Sequence, residues 1–131
     1  MKSFLEHAKI ITILAIILLS IDLIWINWIA FPIYAGTVRN IQGSVMEPNV
    51  IAAILAYIIF VVGLVYLVVD RVETWQEAVL YGALFGFVVY GIFDFTNLTM
   101  FKKWTWRVTI VDIIWGIVLC GSVAGIVKAL L

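Results

Sequence analysis

The segment VIAAILAYIIFVVGLVYLVV, residues 50–69, decides the fold, because it contains no charged side chain over its whole length. A helix of ~20 mostly apolar residues crosses the hydrocarbon layer of a bilayer. Three further segments are long and apolar enough to do the same, so the predicted spans are residues 10–31, 50–69, 78–101 and 108–131. The sequence therefore predicts an all-α protein, a single transmembrane domain over residues 1–131. We expect an integral membrane bundle of four antiparallel transmembrane helices.

The composition supports this prediction and excludes other classes of protein. Apolar residues make up 66% of the chain and charged residues 12%, against ~45–50% and ~25% in soluble proteins. Eight basic residues balance eight acidic ones, and no basic stripe marks a nucleic-acid surface. One cysteine and one histidine predict neither a disulfide framework nor a His/Cys metal site. No cofactor motif is recognised.

The charges near the spans leave the orientation open. An even number of spans puts both termini on one side, together with the turn at residues 70–74. Four Lys or Arg residues fall on each side, so the positive-inside rule favours neither orientation. Lys2 and Lys9 before the first span favour cytoplasmic termini. Dual topology, with antiparallel pairs of molecules, is the alternative.

Three aspartates lie inside the predicted spans: Asp22, Asp94 and Asp112. A charged side chain at the centre of a spanning helix costs ~2.5–3.5 kcal/mol on insertion scales, so each needs a reason. Counting along the antiparallel spans puts all three in the half of the bilayer away from the termini. We expect them to share one site that opens to that side.

Aromatic and polar side chains occur at helical spacing from these acids. Two copies of D-x-x-W, at residues 22–25 and 112–115, place a tryptophan three positions after an aspartate. Arginines outside the spans are near enough to reach inward as counter-charges. The predicted ligand-binding residues are Asp22, Trp25, Asp94, Asn97, Asp112 and Trp115, with Arg39 and Arg107 as counter-charges.

Two uses of the polar and small residues remain open. The aspartates could be interhelical hydrogen-bonding groups, but three acids without a buried base repel one another unless protons or cations enter. This favours a binding site. Spans three and four carry pairs of glycines four residues apart, at Gly82, Gly86, Gly121 and Gly125. Such faces let helices approach closely, and we expect contact within one bundle, with a homodimer as the alternative.

Several segments resemble a known family. Pro32-x-Tyr34 follows the first span and EPN stands at residues 47–49; GALFG (82–86), DFTNL (94–98) and TIVDIIWG (109–116) are more specific. These segments resemble the domain-of-unknown-function family 2177, small bacterial and viral membrane proteins, over nearly the whole chain. The resemblance implies a four-span membrane protein and carries no activity.

The most favoured function is binding or carrying a proton, a cation or a small ligand in the membrane. Aromatic rings at Trp25, Trp28 and Trp115 suit organic cations. Four spans rarely enclose a pathway, so a carrier of this size predicts a homo-oligomer. A membrane enzyme acting on lipid and an accessory or assembly protein are the alternatives, and whether the chain is an enzyme stays open. The lipid bilayer is the one partner that every alternative requires.

Overall fold

The structure, a computed structural model, describes residues 2–131 and is helical along most of that length. In chain order the helices are α1 (Phe4–Trp25), α2 (Phe31–Gln42), α3 (Val50–Leu67), α4 (Trp75–Met100) and α5 (Trp106–Leu130). A π-helical turn at Ile26–Ala30 joins α1 to α2, and a 3₁₀ turn at Val69–Arg71 follows α3. Four continuous helical segments in the described chain are long and apolar enough to cross a membrane. The predicted fold class is confirmed.

Side-chain caps define where the spanning helices begin. Thr74 accepts a hydrogen bond from the backbone N–H of Glu77, and the Glu77 carboxylate accepts one from Thr74 N–H. This capping box starts α4. Asn49 caps α3 and Thr105 caps α5 with a single side-chain bond each, accepted from the N–H of Ala52 and of Val108. At the other end of a helix, Gly43 stops α2 with a φ of 76°, a conformation that glycine adopts at little cost.

The connection after the first span differs from the prediction. The sequence reading placed Pro32 at its start, and this is wrong, because the helix continues through Pro32 to Gln42. Proline is tolerated in the first turn of a helix, where its missing N–H is not needed. The π-helical turn before Pro32 accommodates the proline. In this turn Phe31 N–H donates to the carbonyl of Ile26, and the side-chain amide of Asn27 donates to Leu23 O at 2.8 Å. Irregular turns of this kind often lie beside functional sites.

Helix α5 lies at the centre of the bundle and packs most closely against α4. A Cβ atom at Gly82 would lie 2.8 Å from Ala124 Cβ, and one at Gly86 would overlap the carbonyl of Gly116. Glycine is therefore what allows the two backbones to meet. At Gly121, on α5, a Cβ would lie 3.3 Å from Ala83 Cβ, so the close faces belong to one molecule.

The interior divides into an apolar half and a polar half. Near the termini, the core consists of fully buried aliphatic side chains such as Leu14, Leu64 and Val123. Toward the other end the same helices bury Asp22, Asp94, Thr109 and Asp112. The outer surface is apolar along its length, and its exposed side chains include Ile51, Ile59 and Leu80. An apolar exterior around a buried polar cluster is the arrangement that a lipid environment requires.

Candidate functional site: buried carboxyl groups

Asp22, on the last turn of α1, is held by two neutral donors from other helices. The hydroxyl of Tyr57 on α3 donates to Oδ2 at 2.6 Å, and Trp115 Nε1–H on α5 donates to Oδ1 at 2.9 Å. The side chain is 5% exposed. We call this group, Asp22 with Tyr57 and Trp115, the Asp22 centre. It ties three helices together through one carboxyl group.

Asp94 on α4 and Asp112 on α5 form a second group, the Asp94–Asp112 pair. The two carboxyl groups lie within electrostatic reach of each other, and Tyr34 on α2 lies within reach of both. The Tyr34 hydroxyl donates a hydrogen bond to Asp112 Oδ1. Asp94 is 0% exposed, and neither of its oxygens has a hydrogen-bond partner among residues 2–131. Buried carboxyl oxygens without partners are costly.

The chemistry of the pair follows from what a carboxyl group can donate. An ionised carboxylate only accepts hydrogen bonds, so two ionised groups side by side repel and cannot bond. A single proton changes this, because the protonated acid donates a hydrogen bond to its neighbour and one of the two Asp94 oxygens gains a partner. One carboxylic acid and one carboxylate also bury one charge instead of two. The arrangement therefore suits a shared proton.

Tyr90 on α4 lies near both groups. It lies within electrostatic reach of both Asp22 and Asp112. Its ring covers Gly116 of α5, where a Cβ would overlap the ring atoms. On its other side the ring meets Phe60 of α3 edge-on, with centroids 6.0 Å apart. Gly116 thus leaves the space that the Tyr90 ring occupies.

The two D-x-x-W segments cross-pair rather than acting separately. Trp25 and Trp115 stack with ring centroids 4.3 Å apart and planes 6° apart. Trp115 follows Asp112 in sequence but donates to Asp22. Trp25 follows Asp22, and its buried indole N–H approaches Tyr34, the partner of Asp112, without hydrogen-bond geometry. The predicted aspartates and tryptophans therefore come together, but as two centres joined by a stacked pair of rings.

Other predicted residues make no hydrogen bond or ion pair with these centres in the described chain. Asn97 is half-buried and its side chain makes no hydrogen bond within residues 2–131. Arg39 and Arg107 are exposed, and the ion pairs of the described chain include neither of them. Trp28 is 79% exposed. No group of three or more His, Cys, Asp or Glu side chains in residues 2–131 is arranged to hold a metal ion.

The predicted ligand-binding residues do not include three tyrosines that the structure places in the site, Tyr34, Tyr57 and Tyr90. Tyr34 was assigned to a connection, so its position on a helix face was not considered. Tyr90 precedes Asp94 by four residues, which puts both on one face of α4. That spacing could have found it. For Tyr34 the sequence offers a weaker signal, because Pro32 is compatible with the first turn of a helix but more often marks a boundary.

A separate charged cluster closes the terminal end, outside the apolar segments. Asp70 accepts a hydrogen bond from Lys2 Nζ at 2.6 Å, and His7 Nε2 lies 2.9 Å from its other oxygen. The His7 ring also stacks on Tyr66 at 5.0 Å. Partial burial alone would raise the pKa of the Asp70 carboxyl, but the hydrogen bonds and charges of Lys2 and His7 outweigh it and hold that pKa below its usual value.

The fold and the buried acids define a class, a multi-pass integral membrane protein with carboxyl groups between its helices. Within that class the chain belongs to the family described as "Predicted membrane protein (DUF2177)", whose sequence model matches residues 7–129. The resemblance found in the sequence is confirmed. Neither a curated protein nor a solved structure matches the chain significantly.

Proposed function

We propose that this protein binds a proton at the Asp94–Asp112 pair and carries it within the membrane. The observation that carries the proposal is the Asp94 carboxyl group, fully buried next to a second acid and without a hydrogen-bond partner among the described residues. Intramembrane acids without permanent counter-charges are the groups that proton relays use. A metal ion is less suited, because two carboxyl groups and a tyrosine offer few ligands.

Access to the pair comes from the side away from the termini. Tyr34 covers it from α2, whose outer face carries the exposed Arg39 and Asn40. The 39-residue helix Phe4–Gln42 is about 58 Å long at ~1.5 Å per residue, roughly twice the ~30 Å hydrocarbon thickness. This length supports a position of α2 at the membrane interface, outside the hydrocarbon. Movement of α2 would let a proton reach the pair from the interface.

Proton flux into lipid vesicles tests the proposal. Purified protein is reconstituted around a trapped pH-sensitive dye, and an acid pulse is given outside with a potassium ionophore to cancel the membrane potential. We expect faster internal acidification than in empty vesicles. Asp94→Asn and Asp112→Asn should each reduce the protein-dependent rate at least about tenfold, since proton occupancy of the pair is required.

The matched control is Glu73→Gln, which removes an exposed acid in the turn between α3 and α4. This variant should retain the wild-type rate at equal incorporation into vesicles. Flux equal to that of empty vesicles, or unchanged in both aspartate variants, would contradict the carrier function. Retained flux in the variants with loss in Glu73→Gln would do the same.

A further inference from the structure

A cavity of about 250 Å³ lies beside the Asp22 centre, distinct from the Asp94–Asp112 pair. A water molecule occupies ~30 Å³ in the liquid, so the cavity has room for a small organic molecule. Its lining consists of one acid, three aromatic rings and two alanines: Asp22, Ala53, Ala56, Tyr57, Phe60 and Tyr90. No basic side chain is among them.

The cavity opens sideways, between α3 and α4. Helix α3 packs on α1 and has few contacts with α4, which it meets through Phe60 against Phe85 and Tyr90. Ala53 and Ala56, on the exposed side of α3, leave the opening unobstructed. A ligand with an apolar part could therefore enter from the lipid without crossing the bundle.

The charge of the site determines which ligand it suits. Asp22 is nearly fully buried and receives hydrogen bonds only from neutral groups, Tyr57 and Trp115, among residues 2–131. Two neutral donors orient a carboxylate without cancelling its charge. Aromatic faces attract cations that carry alkyl groups, whose hydration is weak. A carboxylate at one wall and aromatic rings at the others make a receptor for such a cation.

We propose that the cavity at Asp22 binds a small organic cation, an alkylated amine or quaternary ammonium group, entering from the membrane between α3 and α4. This inference rests on the cavity and does not depend on proton carriage by the Asp94–Asp112 pair. It also assigns the recognition of an organic cation to aromatic rings other than Trp25 and Trp28, which the sequence suggests. Trp25 is stacked on Trp115, and Trp28 is exposed, whereas Tyr57, Phe60 and Tyr90 line the cavity.

Binding of choline, compared with its uncharged carbon isostere dimethylbutanol, tests the proposal. The two probes share shape and differ in charge. Calorimetric titration is done in a detergent with a sugar head group, with sodium chloride holding the ionic strength constant. The wild-type protein should bind choline at least about tenfold more tightly than the isostere. Equal binding of the two probes would mean that the cavity recognises apolar shape and not charge, which would overturn the proposal. Absence of choline binding would overturn it as well.

Two variants separate charge from space. Asp22→Asn removes the charge and should weaken choline binding at least about tenfold, to the level of the isostere. Ala56→Leu keeps the charge but fills the cavity, and should also abolish binding. Ala52→Leu adds the same side chain to an exposed position of α3 that does not line the cavity, so it should bind choline as the wild type does. Binding that survives Ala56→Leu overturns the cavity as the site.

Asp94→Asn distinguishes this site from the proton-binding pair. It should lose proton flux and keep its affinity for choline within about twofold, because Asp94 does not line the cavity. Loss of choline binding in this variant would contradict an independent site. A protein that binds choline but carries no proton would support this inference and refute the proposed function.

Discussion

Tyr34 donates a hydrogen bond to Asp112 from a helix that the sequence reading placed in a connection. Removing the hydroxyl leaves a buried carboxylate without one of its donors, which costs ~1–3 kcal/mol. Tyr34→Phe should therefore lower the free energy of unfolding in detergent by that amount. Tyr81→Phe deletes the same group from an exposed ring on α4 and should change it by less than ~0.5 kcal/mol. Equal effects of the two substitutions would mean that the Tyr34 hydroxyl does not support Asp112.

Asp70 predicts a pH dependence at the opposite end of the molecule. Its pKa is lower in the folded protein than the usual value of 3.8, because Lys2 and His7 stabilise the ionised form. The contribution to stability is thus fully present above the usual pKa and is lost as the pH falls through the lowered value. Unfolding curves recorded on acidification should show this loss, and Asp70→Asn should flatten it.

Glu73→Gln is the control for this loss of stability at acid pH, because it removes an acid that is exposed. It should leave the dependence on pH as in the wild type. An Asp70→Asn variant that loses stability on acidification as steeply as the wild type would show that other acids are responsible.

At the scale of elements, the contact between α4 and α5 depends on glycines, which have no side chain. Gly86→Ala places a Cβ against the carbonyl of Gly116, so the helices must separate. Overpacking of this kind costs ~1–3 kcal/mol, and displacement of α5 would also move Asp112 away from Asp94. The prediction is a loss of stability together with a loss of proton flux.

Gly91→Ala provides the comparison on the same helix. A Cβ at Gly91 meets nothing within 4 Å, and alanine is favoured over glycine within a helix by ~0.5–1 kcal/mol. Stability should be unchanged or higher, with flux retained. If Gly86→Ala behaved like Gly91→Ala, close approach of the two backbones would not be holding the bundle together.

The helices differ in how far the sequence could define them. The apolar segments predict α3, α4 and α5 because length and composition alone identify a spanning helix. The end of the first helix was missed, since proline usually marks a boundary and its use in the first turn depends on the preceding π-helical turn. That error hid Tyr34. The charged pair at Lys2 and Asp70 is 68 residues apart in sequence, and only folding brings it together.

At the scale of the whole molecule, both termini should lie on one side of the membrane and the connection after α2 on the other. Cys120 is fully buried, so the natural chain offers little background to a membrane-impermeant thiol reagent. Leu131→Cys and Glu47→Cys introduce exposed thiols at the two ends of the bundle. In oriented vesicles one should react from outside and the other only after permeabilisation. Labelling of both from one side in uniformly oriented molecules would contradict the arrangement.

The location of the acids was predictable at this scale, whereas their pairing was not. Counting residues along antiparallel spans predicts the depth of the acids, and the structure buries Asp22, Asp94 and Asp112 between the helices. Which acid meets which depends on helix rotation. The close α4–α5 contact at Gly86 and Gly116 brings Asp94 to Asp112, while Asp22 is held by Tyr57 and Trp115. The sequence alone does not show which helix faces are in contact, so it does not predict these rotations.

The proton shared by Asp94 and Asp112 is the central claim, and infrared spectroscopy tests it most directly. At neutral pH the wild-type protein should show the carbonyl stretch of a buried protonated carboxylic acid. Asp94→Asn should lose this band while remaining folded, because the amide replaces the neutral acid and can donate to Asp112. Asp22→Asn should keep it. A wild-type spectrum without the band, or a band that persists unchanged in Asp94→Asn, would contradict the shared proton.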